Sequence, residues 1–250
     1  MDIFAVIGLF FGITFILIGQ ALEGGNLGQL LQITAAFIVF GGTGGAVILS
    51  YPPHILKLAF SFIKYVFFPP KVDIPALVKE IVNFATKARK EGVIILEKEA
   101  KYASDPILKM GLEAVADGAD PTLVQTMMEN QINQLDASVT AASKVFESGG
   151  GYSPTLGIIG AVMGLIQVMQ NLSDPTALGA GIAVAFVATI YGLFAANLLL
   201  IPFSTRIKVN FAKVFTAKEL MVEGVLSIQA GESPALIERK LNSFMLEESK

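Results

Sequence analysis

Residues 151–203, GYSPTLGIIGAVMGLIQVMQNLSDPTALGAGIAVAFVATIYGLFAANLLLIPF, form an apolar stretch without a single lysine or arginine. Residues 1–53 share both properties, so all 18 basic residues of the chain fall in 54–150 and 204–250. Each cation-free stretch is long enough for two helices that cross the roughly 30 Å hydrocarbon core of a bilayer. Since no window alternates with period two, the sequence predicts an all-α integral membrane protein with four transmembrane helices and a helical cytoplasmic domain.

Polar turns and prolines within the apolar stretches place the spans. We expect Ile3 to about Leu22, about Gln29 to Ser50, about Pro154 to Leu172, and about Leu178 to Phe203. Because lysine and arginine are retained on the cytoplasmic side, both termini and the middle domain should be cytoplasmic. The predicted organisation is transmembrane helices one and two in 1–53, a cytoplasmic domain in 54–150, transmembrane helices three and four in 151–203, and cytoplasmic C-terminal helices in 204–250.

Residues 54–68, HILKLAFSFIKYVFF, are apolar but too short to cross a membrane. His54, Lys57, Ser61 and Lys64 fall on one stripe of a helix, opposite the apolar positions. A narrow basic face on an apolar helix is typical of a helix lying at the membrane surface. The alternative is a helix that packs on the rest of the cytoplasmic domain.

The cytoplasmic sequence contains four strong helix-start signals. A capping residue comes directly before, or two residues before, a proline of the first turn. The four are Asp73-Ile74-Pro75, Asp105-Pro106, Asp120-Pro121 and Ser233-Pro234. We expect a long helix entering span three and another leaving span four. We also expect Gly149-Gly150-Gly151 to loosen the chain just before span three.

Several kinds of chemistry are excluded by composition. Cysteine is absent and His54 is the single histidine, which argues against disulfides, a metal site and a cysteine or histidine catalytic centre. No dense basic stripe favours nucleic acid. Gly41-Gly42-Thr43-Gly44-Gly45 lacks the lysine of a phosphate loop and lies inside an apolar span. We therefore expect no enzyme activity and no cofactor.

None of the four predicted spans contains Asp, Glu, Lys or Arg. A carboxylate or lysine at membrane depth would mark an ion path. The polar residues at depth carry hydroxyls and amides, which do not titrate near neutral pH; they include Thr14, Gln32, Thr43, Gln167, Thr189 and Asn197. If ions move along this protein, a titrating carboxylate must come from another chain. The alternative role for these residues is hydrogen bonding between helices.

Small residues permit close helix approach in the last two spans. Span three has Gly157, Gly160 and Gly164, and span four has a comparable small-residue surface. This surface could serve self-assembly or a foreign helix, or it could pack the spans of one chain together. The residues alone leave both open.

Three segments carry a resemblance to a known family. SPTLGIIGAVMGLIQVMQNL, residues 153–172, closely resembles the signature of the MotA/TolQ/ExbB proton-channel family. AFIVFGGTGGAVILSYP (36–52) and GESPALIERKLNSF (231–244) are similar to segments of its MotA branch, the flagellar stator subunits. The four-span layout also resembles that branch, because TolQ and ExbB usually show three spans.

The resemblance implies a ring, a pentamer, in the bacterial inner membrane. The ring would surround a pair of single-span MotB helices, each of which supplies an aspartate to the ion path. Ion flow would turn the ring against the rotor, with the cytoplasmic domain engaging the rotor protein FliG and the spans contacting membrane lipid. The alternatives are a TolQ- or ExbB-like energiser of an outer-membrane process and an independent solute transporter.

The resemblance also implies roles for particular residues. Arg89 and Glu97 match the spacing of a charged rotor-contact pair, and Pro154 and Pro202 match prolines at which the helices could flex. Ala161 stands where sodium-type relatives carry threonine, which favours protons. Thr189 matches the other family threonine and leaves sodium open.

Overall fold

The computed structural model describes residues 2–170 and 175–247, and over these residues the chain is helical without strands. The predicted all-α class is therefore confirmed. The chain divides into two compact units. The first comprises Met1–Pro69 and Val139–Val209, and the second comprises Pro70–Ser138 and Asn210–Lys250. The predicted turn at Asp174 and the predicted end of span three at Leu172 lie outside the described residues.

The first unit begins with α1, Ile3–Leu22, whose N-cap Asp2 accepts a hydrogen bond from the amide of Ala5 at 3.3 Å. A 3₁₀ turn, Leu27–Leu30, follows. Next come α2 (Ile33–Ala36), a π-helical turn (Phe37–Gly41) and α3 (Gly42–Ser50). These three form one continuous helix, so the second span starts at Ile33 rather than near Gln29. Two short helices complete this part: α4 (Pro53–Phe62) and α5 (Lys64–Phe67).

Two long helices dominate the rest of the chain. Helix α9, Pro121–Gln170, has 50 residues. Helix α10, Pro175–Phe194, continues through a second π-helical turn, Ala195–Leu200, into α11, Ile201–Gln229. The prediction of a long helix entering span three and another leaving span four is confirmed.

The expected loosening at Gly149-Gly150-Gly151 is wrong, because all three residues are helical within α9. A methyl group placed at Gly150 would lie 2.6 Å from the Ile201 side chain. Gly150 therefore allows close packing against α11, whereas a side chain at Gly151 would lie in open space. A broken helix in an apolar surrounding would leave backbone groups without hydrogen bonds, which is costly.

Four helices in the described part of the chain are long and apolar enough to cross a membrane. They are Ile3–Leu22, Ile33–Ser50, Pro121–Gln170 and Gly181–Gln229. Their number and order agree with the four predicted spans. The last two extend well beyond the length that a bilayer requires.

The second unit contains α6 (Ile74–Glu91), α7 (Leu96–Glu99), α8 (Pro106–Ala116) and α12 (Pro234–Glu247), with the first part of α9 and the later part of α11. Asp73 accepts from the amide of Ala76 at 3.0 Å, and Asp105 accepts from the amide of Ile107 at 2.9 Å. All four predicted helix starts are confirmed. The core of this unit is made of large apolar side chains, including Ile81, Leu96, Leu108, Leu112, Leu220, Ile237 and Leu241.

Candidate functional site

The candidate site is the pair of helices α9 and α10 in the first unit. A methyl group placed at Gly164 would lie 2.8 Å from the carbonyl oxygen of Gly181 and 2.9 Å from the amide nitrogen of Ala185. At Gly157 it would lie 3.0 Å from the carbonyl oxygen of Ala188. These distances are too short for a Cβ, so the backbones of the two helices touch where the glycines lie.

Gly160 and Gly192 extend the same contact along the pair. A methyl group at Gly160 would lie 2.6 Å from the Cβ of Ala188. On the facing helix, a methyl group at Gly192 would lie 2.6 Å from the carbonyl oxygen of Ser153. The sequence left open whether this surface packs within one chain or against another. In the structure, the glycines of α9 face α10 of the same chain.

Large apolar side chains point away from this contact. Helix α1 has no buried residue. Ile158, Val162 and Ile166 of α9 are each more than half exposed, as is Phe186 of α10. Apolar area on this scale is unfavourable in water and indicates contact with lipid or with other protein chains.

Two of the polar groups at membrane depth bond to their own helix. The Thr189 hydroxyl donates to the carbonyl of Ala185 at 3.2 Å, and the Asn197 amide donates to the carbonyl of Leu193 at 2.9 Å. Thr189 and Ala161 are both half-buried, and Ala161 offers no polar side-chain atom. The described parts of the spans therefore contain hydroxyls and amides but no group that exchanges protons near neutral pH.

Tyr191 is a structural residue that the sequence analysis missed. Its hydroxyl donates to the carbonyl of Leu30 at 2.6 Å and accepts from the amide of Gln32 at 3.2 Å. These two bonds fix α10 to the end of the 3₁₀ turn and to Gln32, the residue before α2. A tyrosine in an otherwise apolar span was the available signal, because a buried phenol needs a hydrogen-bond partner.

The two prolines lie in different settings. Pro154 is inside α9, and its Cα would be 3.2 Å from a methyl group at Gly192, so it lies within the close contact between the two helices. Pro202 is exposed and follows the π-helical turn Ala195–Leu200. Each proline lacks the amide that would bond the carbonyl four residues earlier. Both prolines and the π-helical turn are recognised causes of helix bending.

Arg206 ties the start of the chain to α11 within the first unit. Its guanidinium forms an ion pair with Asp2, whose backbone amide donates to the carbonyl of Phe67 at 2.6 Å. Lys208, two residues further along α11, pairs with Glu147 of α9 at 2.9 Å. The sequence analysis did not identify these pairs, because the partners are far apart in the chain.

Arg89 and Glu97 lie in the second unit. Arg89 is in the last turn of α6 and Glu97 is in α7, with the chain turning between them at Gly92, whose φ is 84°. Both side chains are exposed, and neither forms an ion pair in the part of the chain that the structure describes. Their neighbour Lys87 is paired with Glu99 at 2.6 Å. Arg89 and Glu97 thus remain available to charges on another protein.

No group of three or more His, Cys, Asp or Glu that could hold a metal ion occurs among residues 2–170 and 175–247.

Comparison with known proteins finds relatives over nearly the whole chain. The model of the MotA/TolQ/ExbB proton channel family matches residues 99–220. An uncharacterized Bacillus subtilis protein, YtxD, is 34% identical over 97% of this chain and 90% of its own length. Motility protein A of Helicobacter pylori is 32% identical over 98% of this chain and 95% of its own length.

Solved structures give the same result. A chain of C. jejuni MotAB is similar with a TM-score of 0.91 and 30% identity, over 98% of this chain and 96% of that one. A chain of the flagellar MotAB stator complex from Bacillus subtilis is similar with a TM-score of 0.88 and 31% identity, over 96% of this chain and 94% of that one.

Proposed function

Because the chain belongs to the MotA/TolQ/ExbB proton channel family, we propose that it is a stator subunit of a bacterial flagellar motor and forms an ion channel with a MotB-like partner. The observation that carries this function is the likeness to MotAB stators over nearly the full chain. The family is described as one of proton channels rather than of enzymes. The protein is a multi-pass membrane protein.

The channel needs a carboxylate from outside this chain. The spans contain no Asp or Glu, and the hydroxyl of Thr189 already bonds to its own backbone. A single-span partner would supply the carboxylate, as the pairing of MotA with MotB in the similar structures suggests. The outward apolar side chains of α9 and α10 offer a surface for that partner and for neighbouring copies in a ring, which we take to be a pentamer.

Protons are the favoured ion. Ala161 lacks a hydroxyl oxygen, and a hard cation such as sodium prefers several oxygen ligands. Of the two positions that match family threonines, 161 and 189, only Thr189 carries a hydroxyl here. Swimming should therefore persist when sodium is replaced by potassium at constant ionic strength. Swimming that fails without sodium would reverse the assignment.

The proposed location is the inner membrane, with both termini in the cytoplasm. The distribution of all 18 basic residues into 54–150 and 204–250 supports this orientation. In α4, Ala59 and Phe62 are buried in the first unit, whereas His54 and Lys57 are exposed. The exposed basic face suits the anionic headgroups of membrane lipids.

Arg89 and Glu97 are the proposed contacts to the rotor protein FliG. Their exposure and their lack of an ion pair in the described chain support this role. We expect Arg89→Glu and Glu97→Arg each to reduce swimming, because each reversal places a repulsive charge against the rotor. Lys79→Glu, on an exposed position of the same helix as Arg89, is the matched control. Immunoblots of the membrane fraction should show equal protein in every strain.

Pro154 and Pro202 are proposed as the points at which the helices flex during the ion cycle. Pro154 lies at the close contact with Gly192, and Pro202 follows the π-helical turn Ala195–Leu200. Each proline removes one backbone hydrogen bond of its helix. Pro154→Ala would restore the bond and should reduce torque while the complex still assembles.

The function is tested by deletion and reconstitution. Cells without this chain should build flagella but fail to swim, and expression from a plasmid should restore swimming. Liposomes that contain the chain alone should not conduct protons, whereas liposomes with its partner should. Normal swimming of the deletion strain would exclude the stator function. An outer-membrane defect in that strain would indicate an energiser related to TolQ or ExbB.

A further inference from the structure

The first unit contains a cavity of about 320 Å³. Helix α3 and the preceding π-helical turn form one wall, α4 forms another, and α9 and the second π-helical turn complete it. The side chains that line it are apolar apart from two hydroxyls, those of Thr43 and Ser153, and none carries a charge. Pockets of this volume and composition, mostly apolar with a few placed polar groups, are typical of small-molecule sites.

Both hydroxyls lack hydrogen-bond partners among the residues that the structure describes. Thr43 is 8% exposed and Ser153 is 0% exposed, yet neither hydroxyl oxygen has a partner within residues 2–170 and 175–247. Other hydroxyls of the same unit bond to a carbonyl of their own helix, as those of Thr189 and Thr205 do. A buried hydroxyl without a partner is destabilising, and such groups are rare unless something binds them. The two unpartnered hydroxyls therefore give the otherwise apolar lining two groups to which a polar ligand atom can bond.

We propose that this cavity binds a small uncharged molecule with an apolar body and one hydrogen-bonding group, such as a phenol or an alcohol. The apolar wall accepts the body of the molecule, and the hydroxyls of Thr43 and Ser153 bond to its polar group. A charged ligand is disfavoured, because no lining side chain would compensate for its lost hydration.

The site lies beside both prolines. Ser153 immediately precedes Pro154, and Leu200 lies two residues before Pro202. A bound molecule contacts both segments and restrains their bending. This consequence rests on the proposed function, in which the two helices flex, and it makes the cavity a site at which a small molecule slows the motor.

Binding is measured by fluorescence titration of the detergent-purified complex with 2-naphthol. This chain contributes no tryptophan to the background. Gly44 lines the cavity, and a side chain at this position would start in open space, so Gly44→Leu fills the cavity without a clash at its Cβ. Gly45→Leu is the matched control, because Gly45 also has open space around it but does not line the cavity. We expect saturable binding in the wild type and in Gly45→Leu, and loss of binding in Gly44→Leu.

The hydroxyls are tested with Thr43→Val and Ser153→Ala. Each should weaken 2-naphthol about two- to tenfold, the usual effect of one hydrogen bond. Naphthalene, which has no hydroxyl, should bind these variants no more weakly than it binds the wild type. Equal titration of wild type and Gly44→Leu would overturn the site. Equal weakening of naphthol and naphthalene would overturn the role of the hydroxyls, and a cavity that holds only water would show no saturable binding of either probe.

The motor consequence has a separate measurement. 2-Naphthol should slow swimming of cells with the wild type or Gly45→Leu and spare cells with Gly44→Leu. Equal slowing of all three strains would show a general effect on the membrane and overturn the link to the motor. If swimming does not depend on this chain at all, the proposed function fails, and the titration still decides the binding site.

Discussion

The two units bury opposite kinds of side chain. In the second unit, the fully buried positions are large aliphatic residues such as Leu108, Leu112 and Leu241. In the first unit, the buried positions of the spans are mostly small: Ala35, Ala188, Ala195 and Ala196, together with the glycines of α9 and α10. Most large residues of those spans are exposed, and Val39 and Val187 are buried exceptions.

This difference reflects the solvent that each unit meets. In water, burying a large apolar side chain is favourable by about 1.5–3 kcal/mol, so large residues collect in the core. Among lipid chains that gain disappears, because the lipid is as apolar as leucine, and helices associate through close backbone contact instead. Helix α9 shows both regimes, with Val124 and Met128 buried near its start and Gly157 and Gly164 buried near its end.

The largest effect should come from removing a buried large side chain of the second unit. Leu241 is 0% exposed, so Leu241→Ala should lower the free energy of unfolding by about 3 kcal/mol through lost burial and a new cavity. Leu236→Ala, on the same helix but 45% exposed, is the control and should cost less than about 1 kcal/mol. Thermal unfolding in detergent measures both. Equal losses would mean that α12 does not pack as described.

In the first unit, enlarging a residue should do the damage. Gly192→Ala places a methyl group 2.6 Å from the carbonyl oxygen of Ser153, a backbone atom that cannot move aside alone. We expect a loss of about 2 kcal/mol from overpacking. Gly179→Ala, on the same helix and with open space around it, should be neutral or slightly stabilising, because alanine favours helix over glycine. The same melting experiment compares them, and a stabilising Gly192→Ala would contradict the close contact.

Among its described residues, the second unit buries one lysine, and this residue tests whether the core tolerates charge only in pairs. Lys218 is 8% exposed and forms an ion pair with Asp105, the N-cap of α8. Lys218→Met should cost about 2 kcal/mol, because it leaves the half-buried carboxylate without its partner. Lys213→Met, on an exposed position of the same helix, should change little. An unchanged melting temperature for Lys218→Met would show that the pair contributes nothing.

The smallest effect should come from Lys240, which is half-exposed in the second unit. The Glu223 carboxylate raises the pKa of Lys240 above its ordinary value of 10.5 through a hydrogen bond, against the opposing effect of burial, and Glu232 adds to the rise. Because the folded pKa is raised, this stabilisation is fully present below the unfolded pKa and is lost as pH increases through the folded pKa.

Lys240→Met should therefore lower stability at pH 8 by a few tenths of a kcal/mol, since solvent screens the pair. The difference from the wild type should shrink above about pH 10.5. Melting temperatures from pH 8 to pH 11.5 measure it. A difference that grows with pH would give the opposite sign of linkage.

Much of the fold could be predicted because its signals are local. Each helix start at an aspartate or serine next to a proline depends on neighbouring residues alone. The four spans follow from the length of apolar stretches without cations. The error at Gly149-Gly150-Gly151 arose because glycine weakens a helix in isolation, whereas here the segment stays helical and Gly150 packs closely against the Ile201 side chain.

The candidate site was less accessible to sequence reasoning. Gly157, Gly160 and Gly164 signalled close packing, but the identity of the facing helix could not be read from their spacing. The partner of Lys218 lies 113 residues away, and the bonds of Tyr191 reach residues 159 and 161 positions away. The two π-helical turns have no sequence signature comparable to a cap.

The sequence by itself determined the number of spans, their order, the distribution of charge about them and the absence of a titrating group within them. These properties depend on composition over stretches of about 20 residues, and each stretch carries its own evidence. Only the tertiary structure decided that the glycines of α9 face α10, that Lys218 pairs with Asp105, and that the hydroxyls of Thr43 and Ser153 line one cavity. Those facts depend on contacts between residues distant in sequence, and such contacts are set by packing rather than by any local preference.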